Sequence, residues 1–183
     1  MISGIIIANT IPPPTDNQLP KIGELTRLQH IVNAMLRSRV TDLVVVCKSG
    51  EEVRKELEQF SEVIVAEEVG EFHLGRSMRN GVNHLTEKEP HGLILCPVEI
   101  PFISQWMIVD ILQMHYVRHG NIVYPSDDGK IGFPILFTAE YIPIVERYES
   151  FASLEGLIRE FPHEVRTVSP LDARVIPSEE SEQ

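Results

Sequence analysis

The sequence is poor in cysteine, and its cysteines do not cluster. Its 183 residues include two cysteines, Cys47 and Cys96, and each stands at the end of an apolar run. Neither has a neighbouring cysteine, so the zinc-binding spacings are absent. The pattern predicts two buried thiols in a protein of the reducing cytoplasm.

The sequence is also poor in positive charge and in long apolar runs. Lysine and arginine number 16 against 27 acidic residues, for a formal net charge of -11. This balance argues against a nucleic-acid-binding protein, which usually carries a basic patch. A polyanionic ligand would need local positive charge or metal ions. No apolar run approaches the ~18–20 residues of a membrane span, and no basic leader precedes the first apolar run. We therefore expect a cytoplasmic protein that contacts no membrane.

Hydrophobic and charged residues occur in the proportions of an ordinary globular protein, 43% and 23%. The length fits one domain, predicted over residues 1–177, and an acidic, polar tail at 178–183 is predicted to be disordered. The predicted strands are 2–8, 43–47, 63–66, 93–96, 122–124, 131–137 and 165–168. The predicted helices are 24–39, 51–60, 77–85, 104–119, 139–147 and 153–161.

Strands and helices alternate along most of the chain, and this order decides the fold class. It predicts an α/β protein with three α/β/α layers and a mostly parallel sheet. The hairpin-like segment 122–137 predicts that one antiparallel strand joins this sheet. Ser49 and Ser104 stand where helix caps are expected.

The segment Gly92–Ser104, GLILCPVEIPFIS, is the most informative stretch. Leu93–Cys96 is uncharged and apolar, as expected of a strand buried on both faces. Pro97 ends the run, and Glu99 follows two residues later. The acid is therefore predicted at the carboxyl edge of the sheet, where ligands bind in open α/β folds.

Four blocks of the sequence resemble, in order, the MobA-like NTP transferases, a family that includes molybdenum cofactor cytidylyltransferases. The blocks are Leu19–Glu24, Gly75–Gly81, Val98–Ile103 and Gly129–Phe137. Together they span nearly the whole chain. The resemblance implies a Rossmann-like fold of the nucleotide-diphospho-sugar transferase type. It also implies transfer of a nucleoside monophosphate from an NTP, CTP or GTP, to a small phosphorylated acceptor of the molybdopterin type.

The resemblance also implies roles for individual residues. Lys21 and Glu99 would be catalytic, with Lys21 on the triphosphate and Glu99 as a Mg²⁺ ligand, and Asp172 would be a second metal ligand. The nucleotide would contact Ala8, Asn9, Thr10, Lys21, Ser77 and Asn80. The acceptor would contact Arg76, Arg79, Gly132 and Pro134. From the residues alone, the favoured interpretation of Glu99 is a solvated acid at a strand end, and that of Ser77 is a helix cap.

The first loop departs from the family pattern. The family has Ala-Ala-Gly-x-Ser/Gly-x-Arg-Met-Gly, whereas this chain has Ala-Asn-Thr-Ile-Pro-Pro-Pro-Thr-Asp over residues 8–16. Proline has no N–H, so residues 12–14 cannot donate to a phosphate. Three interpretations stay open: an active nucleotidyltransferase, a catalytically impaired relative that senses nucleotides or binds a partner, and a sugar-phosphate nucleotidyltransferase. A homo-oligomer is also possible.

Overall fold

The structure, a computed structural model, describes residues 1–9, 23–100 and 103–170. These residues form one mixed sheet with helices on both faces. The strands are β1 Ile2–Ile7, β2 Leu43–Cys47, β3 Ile64–Glu67, β4 Gly92–Pro97, β5 Ile122–Asp127, β6 Lys130–Ile131, β7 Ile135–Thr138 and β8 Val165–Val168. The helices are α1 Arg27–Arg37, α2 Gly50–Glu56, α3 Leu74–His84, α4 Gln105–Arg118, α5 Ile142–Val145 and α6 Phe151–Glu160.

The strand order is β3-β2-β1-β4-β7-β5-β6, with β8 paired to β5. β1 runs parallel to β2 and to β4, and β2 runs parallel to β3. β7 lies between β4 and β5 and is antiparallel to both, which confirms the predicted antiparallel strand. The two-residue β6 adds a further antiparallel pairing with β5. The prediction of a mostly parallel α/β sheet is confirmed.

Two apolar cores lie on opposite faces of this sheet. One joins alternate strand residues such as Ile6 and Val45 to buried side chains of α1 and α4. The other joins Ile5 and Val44 to α3, α5 and α6. β1, β2 and β4 are buried along their whole length, because both of their faces are covered. Both cysteines are buried free thiols, as predicted.

The residues that begin the helices confirm one predicted cap and correct others. Ser104 caps α4, as predicted, by accepting a hydrogen bond from the Met107 N–H. Ser49 stands before α2, but its side chain makes no capping hydrogen bond to the described residues. α3 begins three residues before Ser77, because the His73 ring accepts from the Arg76 N–H and caps the helix. Ser77 is therefore not the helix cap.

The last third of the chain has shorter secondary-structure elements than predicted. The extended segment 131–137 divides into β6 and β7, and Gly132 between them donates its N–H to the Pro125 carbonyl. The predicted helix 139–147 is a 3-10 turn, Ala139–Tyr141, followed by α5. The predicted tail at 178–183 lies outside the described residues. Within the part of the chain that is described, no helix has the length and apolarity needed to cross a bilayer.

Candidate functional site

The chain reverses its direction of strand addition between β1 and β4. From β1 it builds outward through β2 and β3, then returns to place β4 on the other side of β1. Ile7 pairs with Pro97, and the Val98 N–H donates to the Ile7 carbonyl at 2.9 Å. Asn9 and Glu99 thus each stand two residues beyond a paired position, at the same edge. In open α/β folds such a switch point is where ligands bind.

Four polar side chains form a buried network at this edge, which we call the Glu68 cluster: Asn9, Glu68, Arg76 and Ser77. The Glu68 Oε2 accepts from Asn9 Nδ2 and from Ser77 Oγ, both at 2.6 Å. The Glu68 Oε1 accepts from Arg76 Nε at 2.5 Å. Asn9 Nδ2 also reaches Ser77 Oγ, at 3.3 Å. Only Arg76 of these side chains has substantial exposure, at 49%.

Local packing explains why α3 can supply two members of this cluster. Gly75, in the first turn of α3, lies so close to the chain after α5 that a Cβ would stand 1.9 Å from the Glu146 carbonyl oxygen. Gly81 lies against Ile5 of β1, where a Cβ would be 2.8 Å from Ile5 Cδ1. These two glycines let α3 approach both neighbours, which carries Ser77 into a fully buried position. They are also the glycines of the second family-like block.

Glu99 lies half-buried just beyond β4. Burial raises the pKa of its carboxyl group, and the nearby Arg27 guanidinium offsets part of this rise. Arg27 Nη1 also donates to the Glu99 backbone carbonyl at 2.9 Å. A carboxylate that is poorly solvated by water gains from a cation beside it. Glu99 therefore suits a hard cation chemically.

A Mg²⁺ site needs only one or two protein carboxylates when substrate phosphates complete the coordination. Glu99 fits the part of one such carboxylate. The described residues contain no group of three or more His, Cys, Asp or Glu side chains that could hold a metal ion by themselves. Asp172, the predicted second ligand, lies outside the described residues, as do Lys21 and Thr10. Their roles stay predictions.

The other predicted nucleotide-side residues lie at the same edge. Ala8 follows β1 directly, and its N–H donates to the Val46 carbonyl at 2.8 Å. Asn80, on α3, donates from Nδ2 to the Glu67 carbonyl at 3.0 Å. Asn80 therefore ties α3 to the end of β3. Contacts of these residues with a nucleotide stay predictions.

The two arginines predicted to contact the acceptor already have acidic partners. Arg76 is paired with Glu68 and also donates to the Glu71 carbonyl. Arg79 Nε lies 3.4 Å from Glu146 Oε2, and its side chain is 63% exposed. An anionic acceptor would have to compete with these carboxylates or share the guanidinium groups with them.

Gly132 and Pro134 lie near the carboxyl end of β4, because Ile135 at the start of the antiparallel β7 pairs with Leu95. The side chain between them, Phe133, meets Phe151 edge-on with ring centroids 5.2 Å apart. Phe151 in turn stacks on Phe72 at 5.7 Å. The acceptor-side residues therefore adjoin an aromatic cluster of Phe72, Phe133 and Phe151.

Two residues of this site were not predicted from the sequence, Glu68 and Arg27. Glu68 directly follows an apolar strand, which is the signal that led to Glu99. Alternation would have added to that signal, since Ala66 is buried, Glu67 exposed and Glu68 buried. Arg27 carries no comparable signal, because its contact with Glu99 joins residues 72 positions apart.

The strand order, the switch point between β1 and β4 and the acid after β4 define an α/β fold of the nucleotide-binding type. The model of the MobA-like NTP transferase domain matches residues 15–167. The chain belongs to this family, which confirms the resemblance noted in its four sequence blocks.

Solved structures share the fold at low sequence identity. Rv0371c of Mycobacterium tuberculosis, in complex with manganese, superposes with a TM-score of 0.71 at 17% identity, covering 92% of this chain and 87% of that one. A nucleotidyl transferase from Methanothermobacter gives 0.72 at 18%, with the same coverage. The 4-diphosphocytidyl-2C-methyl-D-erythritol synthase of Anaerococcus prevotii gives 0.69 at 16%, covering 92% and 86%. Among curated protein sequences, none is significantly similar to this chain.

Proposed function

We propose that this protein is a cytoplasmic nucleotidyltransferase that moves a nucleoside monophosphate from CTP or GTP to a small phosphorylated acceptor. The observation that carries the proposal is that Glu99 and the Glu68 cluster lie at the same edge of a MobA-like sheet, at its switch point. A molybdopterin-type phosphate is the acceptor that the family resemblance favours.

The reaction joins two anions, so charge neutralisation and positioning dominate its catalysis. A phosphate oxygen of the acceptor attacks the α-phosphorus of the NTP. The new P–O bond forms as the bond from the α-phosphorus to the bridging oxygen breaks, and pyrophosphate leaves. Mg²⁺, when bound, would supply positive charge at the triphosphate.

The protein's own residues divide into three groups in this proposal. Ala8, Asn9, Thr10, Ser77 and Asn80 would form the nucleotide side, with Lys21 on the phosphates. Glu99 and Asp172 would hold the metal. The acceptor side would consist of Arg76, Arg79, Gly132 and Pro134. A planar acceptor would find the Phe133 aromatic cluster beside these last residues.

The solved structures support two finer points. The Anaerococcus protein is named as a diphosphocytidyl synthase, which favours CTP as the nucleotide. The Mycobacterium protein was solved with manganese, which supports a divalent cation. Mg²⁺ is the cation we propose here, because Glu99 offers a hard oxygen ligand.

A second candidate is a catalytically impaired relative that senses nucleotides or binds a protein partner. The observation that favours it is the sequence of the first loop, where Pro12, Pro13 and Pro14 lack the N–H groups that would cradle a phosphate. Such a protein would bind nucleotides weakly or bind them without turnover.

The test is a thermal-shift panel of CTP, GTP, UTP and ATP with and without Mg²⁺. A nucleotide at about 100 times its Kd stabilises the folded state by about 2.7 kcal/mol. For a protein of this size, that raises the melting temperature by roughly 5 to 10 °C. We expect such a shift for CTP or GTP with Mg²⁺, and we expect Glu99→Ala to abolish it.

The matched control is Glu58→Ala, at an exposed acid after α2, which should keep the shift. Pyrophosphate release in the presence of a molybdopterin-type acceptor then separates the two candidates. A Mg²⁺-dependent shift without pyrophosphate release would favour the impaired relative. No shift with any nucleotide at millimolar concentration would contradict the enzyme proposal.

A further inference from the structure

The Asn9 side chain carries a buried acceptor that lacks a donor. Asn9 is 4% exposed, and its Nδ2 donates to Glu68 and Ser77. Its Oδ1 has no hydrogen-bond partner among the described residues. Buried polar atoms in folded proteins nearly always have partners, so an orphaned oxygen at a ligand-binding edge indicates a missing donor.

The orientation of the Asn9 amide follows from the charge beside it. A carboxylate only accepts hydrogen bonds, so Glu68 requires the Nδ2 donor. A flipped amide would place Oδ1 against the Glu68 oxygens, two acceptors facing one another. Arg76 and Ser77 hold the Glu68 carboxylate from other directions. The network therefore fixes the amide and turns Oδ1 away from Glu68.

The Asn9 side chain is a departure from the family pattern. Asn9 stands at the switch point, level with Glu99 on the neighbouring strand end. In the family pattern Ala-Ala-Gly, the residue at this place is the second alanine, which has no polar side chain. The acceptor is therefore an addition to the family's first loop, and Glu68 is the group that orients it.

We propose that Asn9 Oδ1 is a base-specificity element that accepts a hydrogen bond from the exocyclic amino group of cytosine. The proposal rests on the proposed function, since it requires that an NTP bind at this edge. Cytosine presents an N4 amino donor where uracil presents the O4 carbonyl. Uracil would set one acceptor against another and leave Oδ1 unpaired, whereas cytosine supplies the missing donor.

A site with a buried polar group rejects the analogue that lacks the matching partner. We therefore expect CTP to bind at least about tenfold more tightly than UTP, by isothermal titration calorimetry of the full chain with Mg²⁺. N4,N4-dimethyl-CTP keeps the ring but has no N4–H donor. It should bind no better than UTP, and this comparison requires no variant.

Asn9→Ala removes the acceptor and restores the family residue. We expect this variant to bind CTP more weakly and UTP at least as tightly as before, which brings the two affinities within about threefold of each other. Asn83→Ala, at an exposed asparagine on the same helix as Ser77, is the matched control and should keep the wild-type preference.

Four outcomes would overturn the inference. If wild-type protein binds CTP, UTP and the dimethyl analogue equally, Asn9 does not select the base, although the proposed function stands. If Asn9→Ala weakens CTP and UTP by the same factor, its role is structural. If no nucleotide binds, or GTP binds and CTP does not, the cytosine assignment fails, and in the former case the proposed function fails with it.

Discussion

Glu68 offers the sharpest test of how the site is held together. Glu68→Gln keeps the shape of the side chain but removes its charge. The bonds from Asn9 and Ser77, both 2.6 Å and buried, change from charge-assisted to neutral, a loss of about 1 kcal/mol each. The bond from Arg76 adds less than about 1 kcal/mol, because that side chain is half-exposed. The variant should therefore lose about 2 to 3 kcal/mol of unfolding free energy.

Urea denaturation followed by far-UV circular dichroism measures this loss directly. A fall of roughly 5 to 10 °C in melting temperature should accompany it. The adjacent acid provides the control, since Glu67 is 54% exposed and accepts from the Gly50 N–H. Glu67→Gln keeps an oxygen for Gly50 and should change stability by less than about 0.5 kcal/mol. Equal losses in the two variants would refute the claim that Glu68 organises a buried network.

Three further predictions test other parts of the fold. Gly75→Ala should lower the unfolding free energy by about 3 kcal/mol or more in urea denaturation, because the new Cβ meets a backbone carbonyl. Gly156→Ala, in open space on α6, should raise it by up to about 1 kcal/mol. Similar values for the two variants would contradict this. Glu99→Gln should raise the melting temperature at pH 7. Burial raises the pKa of the Glu99 carboxyl above 4.5 in the folded state, so the folded state loses stability as the pH rises from the unfolded-state pKa through the folded-state pKa. The gain in melting temperature should vanish below about pH 4, where both states are protonated. Equal melting curves of the variant and the wild type at pH 7 would contradict this. Burial raises the pKa of Cys47 to about 11, and Cys96 is fully buried. A thiol reagent at pH 8 should therefore label neither cysteine before unfolding, and rapid labelling of native protein would disprove this.

The central strands were predictable because buried strands are uncharged and rich in β-branched residues, as in Leu43–Cys47, which was predicted with the bounds that the structure has. Val165–Val168 also has its predicted bounds, although it contains Arg166 and is mostly not buried. The start of α3 was not, because its cap is a histidine ring, which the usual serine, threonine, aspartate and asparagine signals do not include. The sequence also did not show that Gly75 packs against a distant backbone carbonyl.

The candidate site was predictable only where a polar side chain follows an apolar strand in the sequence. Glu99 follows the uncharged, apolar run Leu93–Cys96, so its place at the sheet edge could be inferred. Its partner Arg27 comes from the first turn of α1, and only the fold brings the two together. The pairing of Arg76 with Glu68 was missed for the same reason, since the turn between them decides whether the side chains meet.

In the proposed function, the two departures of the first loop from the family pattern would act on different parts of the nucleotide. The prolines at 12–14 remove N–H donors that would face phosphates, while Asn9 adds an acceptor that suits a base. In a chain with a net charge of -11, fewer donors would leave the triphosphate more dependent on Lys21 and on the cation that we propose Glu99 holds. The base contact, which carries no net charge, is unaffected by that loss. CTP should therefore still bind more tightly than UTP when a chelator removes the cation and lowers the affinity for both nucleotides. A first loop that no longer contacts a nucleotide would show neither the affinity nor the preference for CTP.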